Sequence, residues 1–369
     1  MTNSPDLLYQ LALTSVPHIG PVQARLLLEH FETARDIFHS KVSLLEKIEG
    51  IGSVRAKSIL HFRGFKEQEE AITLLEKAQI QALFLKDKHY PQRLLHCYDP
   101  PTLLFWKGSA DLNATKTLSV IGTRNHTEYG SRMTEQLLEQ LLSYNPVIVS
   151  GLAFGIDAIA HRKSIQCGLS TIGVLGHGLD TIYPYTHRTL ANDMLEHGGG
   201  LLTEFRCKTL PDRHHFPARN RIVAGISDAT IVIETAVRGG SMITACLAAD
   251  YNRDLFAVPG RATDLKSSGC NHLIVQQRAI LCQSGEDIAK ALGWITEIKP
   301  ATVARTLFVD LNKEEEMIYR LLPSDISKHI DVLYAESRFS SSQLASVLLS
   351  LELKGIIRSL PGKMYQTTE

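Results

Sequence analysis

Residues 117–124 read TLSVIGTR, and residues 147–157 read VIVSGLAFGID. In both stretches a short run rich in β-branched residues ends in a glycine-containing turn, and the residues after the turn have helical spacing. Four more apolar runs of this kind follow along the chain, at residues 172–175, 201–203, 231–233 and 255–258. Strands separated by helices indicate crossover connections. We therefore predict a Rossmann-like α/β domain over residues 86–295, with a mostly parallel sheet covered by helices on both faces.

The regions on either side of this domain have different patterns. Residues 1–85 carry apolar residues at helical spacing with almost no alternating run, which predicts an all-helical domain. Residues 296–312 contain Pro300 and little pattern, and we assign them to a linker. Beyond the linker come three helical stretches and two short strand-like runs, at residues 314–322, 325–334, 340–354, 356–358 and 364–365. Three helices and a closing hairpin predict a winged-helix domain over residues 313–369.

Composition excludes several classes of protein. The chain has 369 residues, of which 44% are hydrophobic, and its 39 Lys and Arg balance 39 Asp and Glu. No overall positive field attracts nucleic acid, so any such binding must come from local patches. The six cysteines contain no C-x-x-C pair, which argues against zinc and against a disulfide framework. No apolar run approaches the roughly 20 residues of a membrane helix, and the N-terminus lacks a secretory signal pattern, so we expect a cytoplasmic protein with no membrane partner, metal or cofactor.

Two N-terminal segments share one design: VPHIGPVQARL at residues 16–26 and IEGIGSVRAKS at residues 48–58. Each has an apolar residue, a tight glycine turn and a helix with Ala and a basic residue, and the pair resembles the helix-hairpin-helix family. Backbone N–H groups at such a turn can hold a phosphate without reading base sequence, and Arg25, Arg55 and Lys57 would add charge. An alternative of equal weight is that the helical pair only packs or binds protein.

The predicted ligand site of the central domain lies where glycine turns follow the strands. In a doubly wound sheet, ligands bind beyond the carboxyl ends of the strands, where helix N-termini face anions. Gly122, Thr123 and Arg124 follow the first strand, which places Arg124 to meet a phosphate. Phe154 stands between small residues after the second strand, where an aromatic ring is difficult to bury. Base stacking and ordinary packing under the turn are both open for this ring.

The most basic segment is RCKTLPDRHHFPARNR at residues 206–221, in which five Lys or Arg residues face a single acid. Phe216 comes just before a predicted helix start, and Arg219, Asn220 and Arg221 fall in the first turn of that helix. A cation in this position opposes the helix dipole unless an anion is near, so the pattern indicates an external anion. A basic groove with an aromatic side chain is typical of sequence-tolerant binding to single-stranded nucleic acid. The alternative is a solvated charged surface.

A second anion-binding turn is predicted after the strand at residues 231–233. Gly240 and Ser241 begin the next helix, so the free amides of its first turn and the Ser241 hydroxyl would form an anion site. The alternative for this turn is a helix cap that packs closely against the sheet.

Together these residues resemble the DNA-processing protein A (DprA/Smf) family. The resemblance rests on Gly122-Thr123-Arg124, Ser150-Gly151-x-Ala153-x-Gly155-Ile156-Asp157, Phe216-Pro217-x-Arg219-Asn220-Arg221 and Gly240-Ser241-x-Ile243-Thr244-Ala245. It implies a homodimeric, non-enzymatic protein that binds single-stranded DNA and loads the RecA recombinase in natural transformation or related recombination. The implied DNA-binding residues are Gly122, Thr123, Arg124, Phe154, Arg188, Phe216, Arg219, Asn220, Arg221, Gly240 and Ser241. His187 stands where members commonly have Asn, and Phe154 where the residue is often basic, which leaves individual contacts open.

Two other functions remain alternatives. A Rossmann-like nucleotide-hydrolysing enzyme needs a carboxylate just after its glycine-glycine turn, but no acid follows that turn until Asp250, and only Glu234, before the turn, could substitute. A winged-helix transcription regulator would read duplex DNA with the helix at residues 340–354, which offers only Gln343 and Lys354 as readers. Release of free base from nucleoside monophosphates would favour the enzyme, and tight duplex binding would favour the regulator.

Overall fold

The computed structural model describes residues 6–295, 311–322, 327–360 and 362–367. The chain divides into two compact units, Met1–Ile295 and Thr296–Glu369. Residues 296–310, which form most of the predicted linker, lie outside the described residues. In the part of the chain that is described, no helix has the length and apolar character needed to cross a lipid bilayer.

A nine-stranded sheet lies at the centre of the first unit. Its strands are β1 (Gln81–Phe84), β2 (Leu103–Gly108), β3 (Thr117–Ile121), β4 (Val147–Ser150), β5 (Thr171–Val174), β6 (Gly200–Thr203), β7 (Ala229–Val232), β8 (Asp254–Ala257) and β9 (Ile280–Leu281). Their order across the sheet is β1-β2-β6-β5-β4-β3-β7-β8-β9. Strands β3 to β9 pair in parallel, whereas β1 and β2 join the β6 edge in antiparallel pairs. The six predicted strands are present within one or two residues, and β1, β2 and β9 were not predicted.

The helices of this domain cover both faces of the sheet. They are α7 (Gln92–Leu95), α8 (Glu128–Leu141), α9 (Ile156–Gln166), α10 (Arg188–Glu196), α11 (His215–Gly225), α12 (Gly240–Asp250), α13 (Ser268–Val275) and α14 (Gly285–Ala291), with 3-10 turns at Leu142–Tyr144 and Tyr185–His187. Successive side chains of a strand point to opposite faces. Accordingly, Val120 packs in one hydrophobic cluster with residues of α8 and α9, and Ile121 packs in the cluster on the other face. This two-sided burial explains why the strands have continuous apolar runs.

The carboxyl ends of the central strands lie level with one another. Ile121 at the end of β3 pairs with Val232 at the end of β7, and Val232 pairs with Ala257 at the end of β8. On the other side of β3, Ser119 pairs with Val149, and Ser150 pairs in turn with Gly173 of β5. The loops that follow β3, β4, β5, β7 and β8 therefore all emerge at one edge, which we call the carboxyl edge.

The N-terminal helices pack against the sheet in the same compact unit. They are α1 (Leu7–Leu13), α2 (Pro21–His30), α3 (Ala34–His39), α4 (Val42–Leu45), α5 (Gly52–Leu60) and α6 (Phe65–Ala78). Arg55 ties the two hairpin turns together, because its guanidinium donates to the carbonyl oxygens of His18 at 3.1 Å and Gly50 at 3.0 Å. Arg206, from the loop after β6, donates to Gln68 at 2.6 Å and to Thr14 at 2.8 Å. Two basic residues that the sequence assigned to phosphate patches therefore hold the protein's own helices in place.

The second unit contains three helices and a three-stranded sheet. These are α15 (Lys313–Leu321), β10 (Lys328–His329), α16 (Ile330–Ser337), α17 (Ser341–Leu353), β11 (Ile357–Leu360) and β12 (Met364–Thr367). The helix predicted at 325–334 is wrong in its start: β10 occupies 328–329, and the side chain of His329 caps α16 by accepting from Asp331 N at 3.2 Å. Residues 323–326 lie outside the described residues.

Candidate nucleic-acid interface

A cleft opens at the carboxyl edge above β3, β4 and β5. It is lined by residues from three loops and one helix, among them Arg124, Phe154, His177, Tyr183, Phe216 and Arg219. The loop after β3 supplies Arg124, the loop after β4 supplies Phe154, and α11 supplies Phe216 and Arg219. The structure thus brings together four of the residues that the sequence assigned to one site.

Arg124 and Phe216 form the cationic and aromatic centre of the cleft. The exposed guanidinium of Arg124 lies over the Phe216 ring, with its central carbon 5.5 Å from the ring centroid. The Tyr183 ring also packs near Phe216, at 6.2 Å between ring centroids. A guanidinium over an aromatic face keeps its N–H edge free for an anion, so this pair offers both a charge and flat apolar surfaces.

Phe154 offers a second ring to the cleft. Its side chain is 50% exposed, although it follows a buried strand. The ring edge rests on His187 at 4.9 Å between centroids, and the His187 ring is in turn held by Leu152 O at 3.0 Å. Phe154 is therefore supported from below and open above, which is the geometry needed for stacking on a base.

Glycine at position 155 allows the loops after β3 and β4 to approach each other. Gly155 has a φ of 81°, and a Cβ atom there would clash with the backbone oxygens of Thr123 and Arg124. Thr123 is fixed from both sides, since its N–H donates to Glu234 O at 2.8 Å and its own carbonyl accepts from Ile156 N at 3.3 Å. Thr123 therefore positions Arg124 through the backbone.

Arg219 lies at the floor of the cleft and is 6% exposed. Its guanidinium donates to Val174 O and, at 3.1 Å, to the side chain of Asn220. Burial lowers the pKa of Arg219 and raises the pKa of Asp157, while the charge of each favours the ionised form of the other. Arg219 is thus an internal cation with Asp157 as its counter-charge, and Asn220 helps to orient its guanidinium.

His161 packs against the turn after β4 and is fully buried. Its two ring nitrogens are each 2.6 Å from a partner, Thr171 Oγ1 and Gly151 O. Burial lowers the pKa of His161 to about 4, so the ring is neutral near pH 7. A neutral ring that bonds only to the protein's own groups stabilises the turn after β4.

Arg221 does not belong to the cleft, and its predicted role needs correction. Its guanidinium forms ion pairs with Glu204 and, at 3.5 Å, with Asp99, and it also donates to Asp99 O. Tyr251 adds a hydrogen bond to Asp99 at 2.5 Å. Arg221 is directed inward because it is two positions after Arg219 on α11, about 200° around the helix axis. We therefore assign Arg221 to the structure of the domain.

The remaining predicted residues lie at the carboxyl edge or beside it, outside the cleft lining. Gly122 packs against Ile156, where a Cβ atom would be 2.5 Å from Ile156 Cγ1. Arg188 begins α10 and is exposed. Gly240 and Ser241 begin α12 after β7, and Ser241 Oγ donates to Thr235 Oγ1 at 2.8 Å.

The sequence alone assigns neither Tyr183 nor His177 to the site. The Tyr183 ring is 51% exposed beside Phe216, and the His177 ring is buried in the lining with its Nδ1 2.9 Å from Gly178 O. Burial lowers the pKa of His177. A signal was present, since Tyr183 and Tyr185 follow a glycine-rich turn in the sequence.

The side chains invoked by the alternative functions are already engaged. Glu234 is fully buried, and its carboxylate caps α8 by accepting from Thr127 N at 2.8 Å and from Thr127 Oγ1. In the winged helix, Lys354 donates to Glu315 at 2.6 Å, and Gln343 Oε1 accepts from Ser340 N at 3.1 Å. Each of these groups has a partner within its own unit.

The fold and the cleft define a class of three-part proteins: a helix-hairpin-helix region, a Rossmann-like domain with a cationic and aromatic cleft at its carboxyl edge, and a winged helix. Three family models match the corresponding parts of the chain: DNA recombination-mediator protein A at residues 81–293, SAM-like helix-hairpin-helix tandem at 11–67, and DprA winged helix domain at 301–363. The chain belongs to the DNA recombination-mediator protein A (DprA/Smf) family, which confirms the predicted family and fold class.

Named relatives agree with this assignment. Protein Smf of Escherichia coli is 33% identical over 300 residues, which is 80% of either chain. DNA processing protein DprA of Streptococcus pneumoniae is 39% identical over 245 residues, or 66% of this chain and 86% of that protein. The X-ray structure of the S. pneumoniae protein has a TM-score of 0.65 at 32% identity and covers 79% of this chain and 98% of its own. The structure of DNA processing protein A of Helicobacter pylori, described for its unique single-stranded DNA binding mode, has a TM-score of 0.53 at 30% identity. The match covers 58% of this chain and 96% of the H. pylori chain.

Proposed function

We propose that this protein binds single-stranded DNA in the cleft of its Rossmann-like domain and acts as a recombination mediator. The observation that carries the proposal is the arrangement of Arg124 over Phe216 beside the half-exposed Phe154. Charge for the backbone and flat rings for the bases are the two requirements of sequence-tolerant single-strand binding. The buried Arg219 lies beneath them at the floor of the cleft.

The partner protein, the cellular location and the pathway are proposed from the family. Members of the DprA/Smf family load RecA onto single-stranded DNA, and we propose the same partner here, in the cytoplasm, in natural transformation or related recombination. We propose no catalytic step, cofactor or metal. The engagement of the Glu234 carboxylate in the cap of α8 supports a binding role, since this was the acid that a nucleotide-hydrolysing reaction would need.

Comparing single-stranded with duplex DNA tests the proposal directly. Oligo-dT should bind much more tightly than a duplex of the same length, because stacking on Phe154 and Phe216 needs unpaired bases. The logarithm of the affinity should fall with the logarithm of salt concentration by about 0.7 for each phosphate neutralised. Fluorescence anisotropy titrations over a range of salt concentrations measure both quantities. Equal affinity for the two forms of DNA would contradict the proposal.

We also propose that the protein is a homodimer formed through the β9 edge. Within the described parts of the chain, β9 is the last strand of the sheet and pairs with β8 alone, and its two side chains, Ile280 and Leu281, are 45% and 42% exposed. Val275, at the end of α13, and Leu265, in the loop before it, are each 81% exposed. An open edge strand with exposed apolar side chains on the neighbouring segment is a site for pairing with another chain.

Charge introduced at this edge should therefore separate the protomers. The double variant Val275→Glu and Leu281→Glu is expected to sediment as a monomer, whereas the unmodified protein sediments as a dimer. The reason is that the dimer interface would bury two introduced carboxylates from each protomer close to one another. The control Leu44→Glu changes an apolar side chain of similar exposure on α4 and should leave the dimer intact. An unchanged sedimentation coefficient in the double variant, with normal thermal unfolding, would refute the β9 interface.

A further inference from the structure

We infer that the DNA track continues out of the cleft along the carboxyl edge, over the ends of β3, β7 and β8, where Arg238 and Arg261 take the next phosphates. The inference rests on the proposed function, because it extends the same binding site. It assigns a role to two arginines that neither the family motifs nor the cleft includes.

The topology places the two arginines in line with the cleft. β7 lies next to β3, and β8 lies next to β7, with their last residues level in the register. Arg238 lies in the turn that follows β7, and Arg261 lies in the loop that follows β8. Beyond the cleft, the next two loops along the edge therefore each carry one arginine.

Arg238 precedes a helix start with free backbone donors. It is exposed, and it lies one residue before Gly239, the N-cap of the eleven-residue helix α12. Gly240 is exposed as well, and a Cβ atom there would meet nothing within 4 Å. The start of α12 is thus open at Gly240 and has a cation beside it, and a helix N-terminus of this kind suits a phosphate oxygen.

Arg261 projects from a loop that the protein holds rigid. The Asn271 side chain accepts from Gly260 N and donates to Gly260 O, both at 3.1 Å. Tyr129, in the first turn of α8, donates to Pro259 O at 2.7 Å. Because α8 begins just after the Arg124 loop, this bond connects the cleft to the Arg261 loop, and little ordering is needed when a strand binds.

The charge of both arginines is available to a ligand. Among the described residues, neither Arg238 nor Arg261 takes part in an ion pair with a carboxylate. The acid nearest to Arg261 in sequence, Asp264, accepts hydrogen bonds from Lys266 N at 2.9 Å and Ser267 Oγ at 3.4 Å within its own loop. In a protein with no net charge, two unpaired arginines on consecutive loops form a local positive patch.

The span of the track sets the length of DNA that can reach these arginines. Neighbouring strands are about 4.8 Å apart, so the three steps from β4 through β3 and β7 to β8 cover about 14 Å. A single strand with unstacked bases is more extended than the roughly 3.4 Å per phosphate of a duplex strand, so this distance corresponds to at most about four nucleotides beyond the first base in the cleft. A very short oligonucleotide therefore occupies the cleft alone, and a longer one also reaches Arg238 and Arg261.

A length series of oligo-dT tests the track. The double variant Arg238→Ala and Arg261→Ala should bind an oligonucleotide of about 2 nucleotides, which is too short to leave the cleft, as the unmodified protein does, measured by competition. It should bind one of about 16 nucleotides at least about tenfold more weakly. Its salt slope on the long oligonucleotide should be smaller by about 1.4, corresponding to two lost phosphate contacts. The control Arg162→Ala removes an exposed arginine of α9 and should leave both lengths unaffected.

Each outcome distinguishes the track from the function on which it rests. If the double variant keeps normal affinity and salt slope for the long oligonucleotide while Arg124→Ala loses binding, the track is refuted and the cleft stands. If the double variant loses affinity equally at both lengths, the arginines belong to the cleft and the extension is wrong. If the unmodified protein binds neither oligonucleotide, the proposed function itself fails.

Discussion

Replacing Arg124 with alanine is expected to weaken oligo-dT binding about 10- to 100-fold, whatever the base sequence. A hydrogen bond to a charged group contributes about 1.5 to 3 kcal/mol, and each 1.4 kcal/mol is a factor of ten in affinity. The exposed guanidinium has no carboxylate partner among the described ion pairs, so its loss should not disturb the fold. The salt slope should decrease by about 0.7, as expected for one phosphate contact.

Phe154→Ala is the matched contrast for this measurement. Losing a stacking platform costs about 1 to 3 kcal/mol per base, so the affinity should decrease by a similar factor while the salt slope stays the same. Two variants with equal losses and different slopes would separate the stacking contribution from the ionic one. If Arg124→Ala bound DNA with normal affinity and slope, the cleft would not be the phosphate site.

Replacing Arg221 with alanine is expected to lower the free energy of unfolding by about 3 to 5 kcal/mol. The substitution leaves Glu204 and Asp99 without their cation in a partly buried network, and an uncompensated internal charge is the source of the cost. Chemical denaturation followed by circular dichroism measures this change. Residual folded protein should still bind oligo-dT, because Arg221 lies outside the cleft.

A control for this prediction comes from the same basic segment. Arg213→Ala removes an exposed cation seven residues after Arg206 and should change stability by less than about 0.5 kcal/mol. If instead Arg221→Ala left stability unchanged and abolished DNA binding, the original prediction for Arg221 would be restored and the structural assignment would be wrong.

The sequence predicts the central strands well because burial on both faces leaves a clear signal. Short runs rich in β-branched and other apolar residues, such as residues 118–121 and 231–233, are typical of the middle of a parallel sheet. β9 has only two residues, both exposed, so it leaves no such run. β1 and β2 join the sheet in antiparallel pairs without a crossover helix, and the alternation of strand and helix that reveals the other strands is absent there.

For the candidate site, the sequence indicates which loops meet but not where each side chain points. Arg124 and Phe154 follow from the rule that ligands bind at the carboxyl ends of parallel strands, whereas Phe216 and Arg219 follow from the basic segment with its aromatic side chain. The density of positive charge at residues 206–221 led to a wrong prediction for Arg221, because the acids that pair with this arginine lie outside the segment. Glu204 and Asp99 neutralise Arg221, and neither belongs to that segment.

The bonds from Arg206 to Gln68, to Thr14 and to Leu11 O have a consequence for the integrity of the chain. If the N-terminal helices were removed, the half-buried guanidinium of Arg206 would lose all three of these acceptors. We therefore expect the N-terminal region to be needed for the stability of the Rossmann-like domain. Its slowest-exchanging amide protons should share the protection of the sheet, and both should open in a single cooperative event.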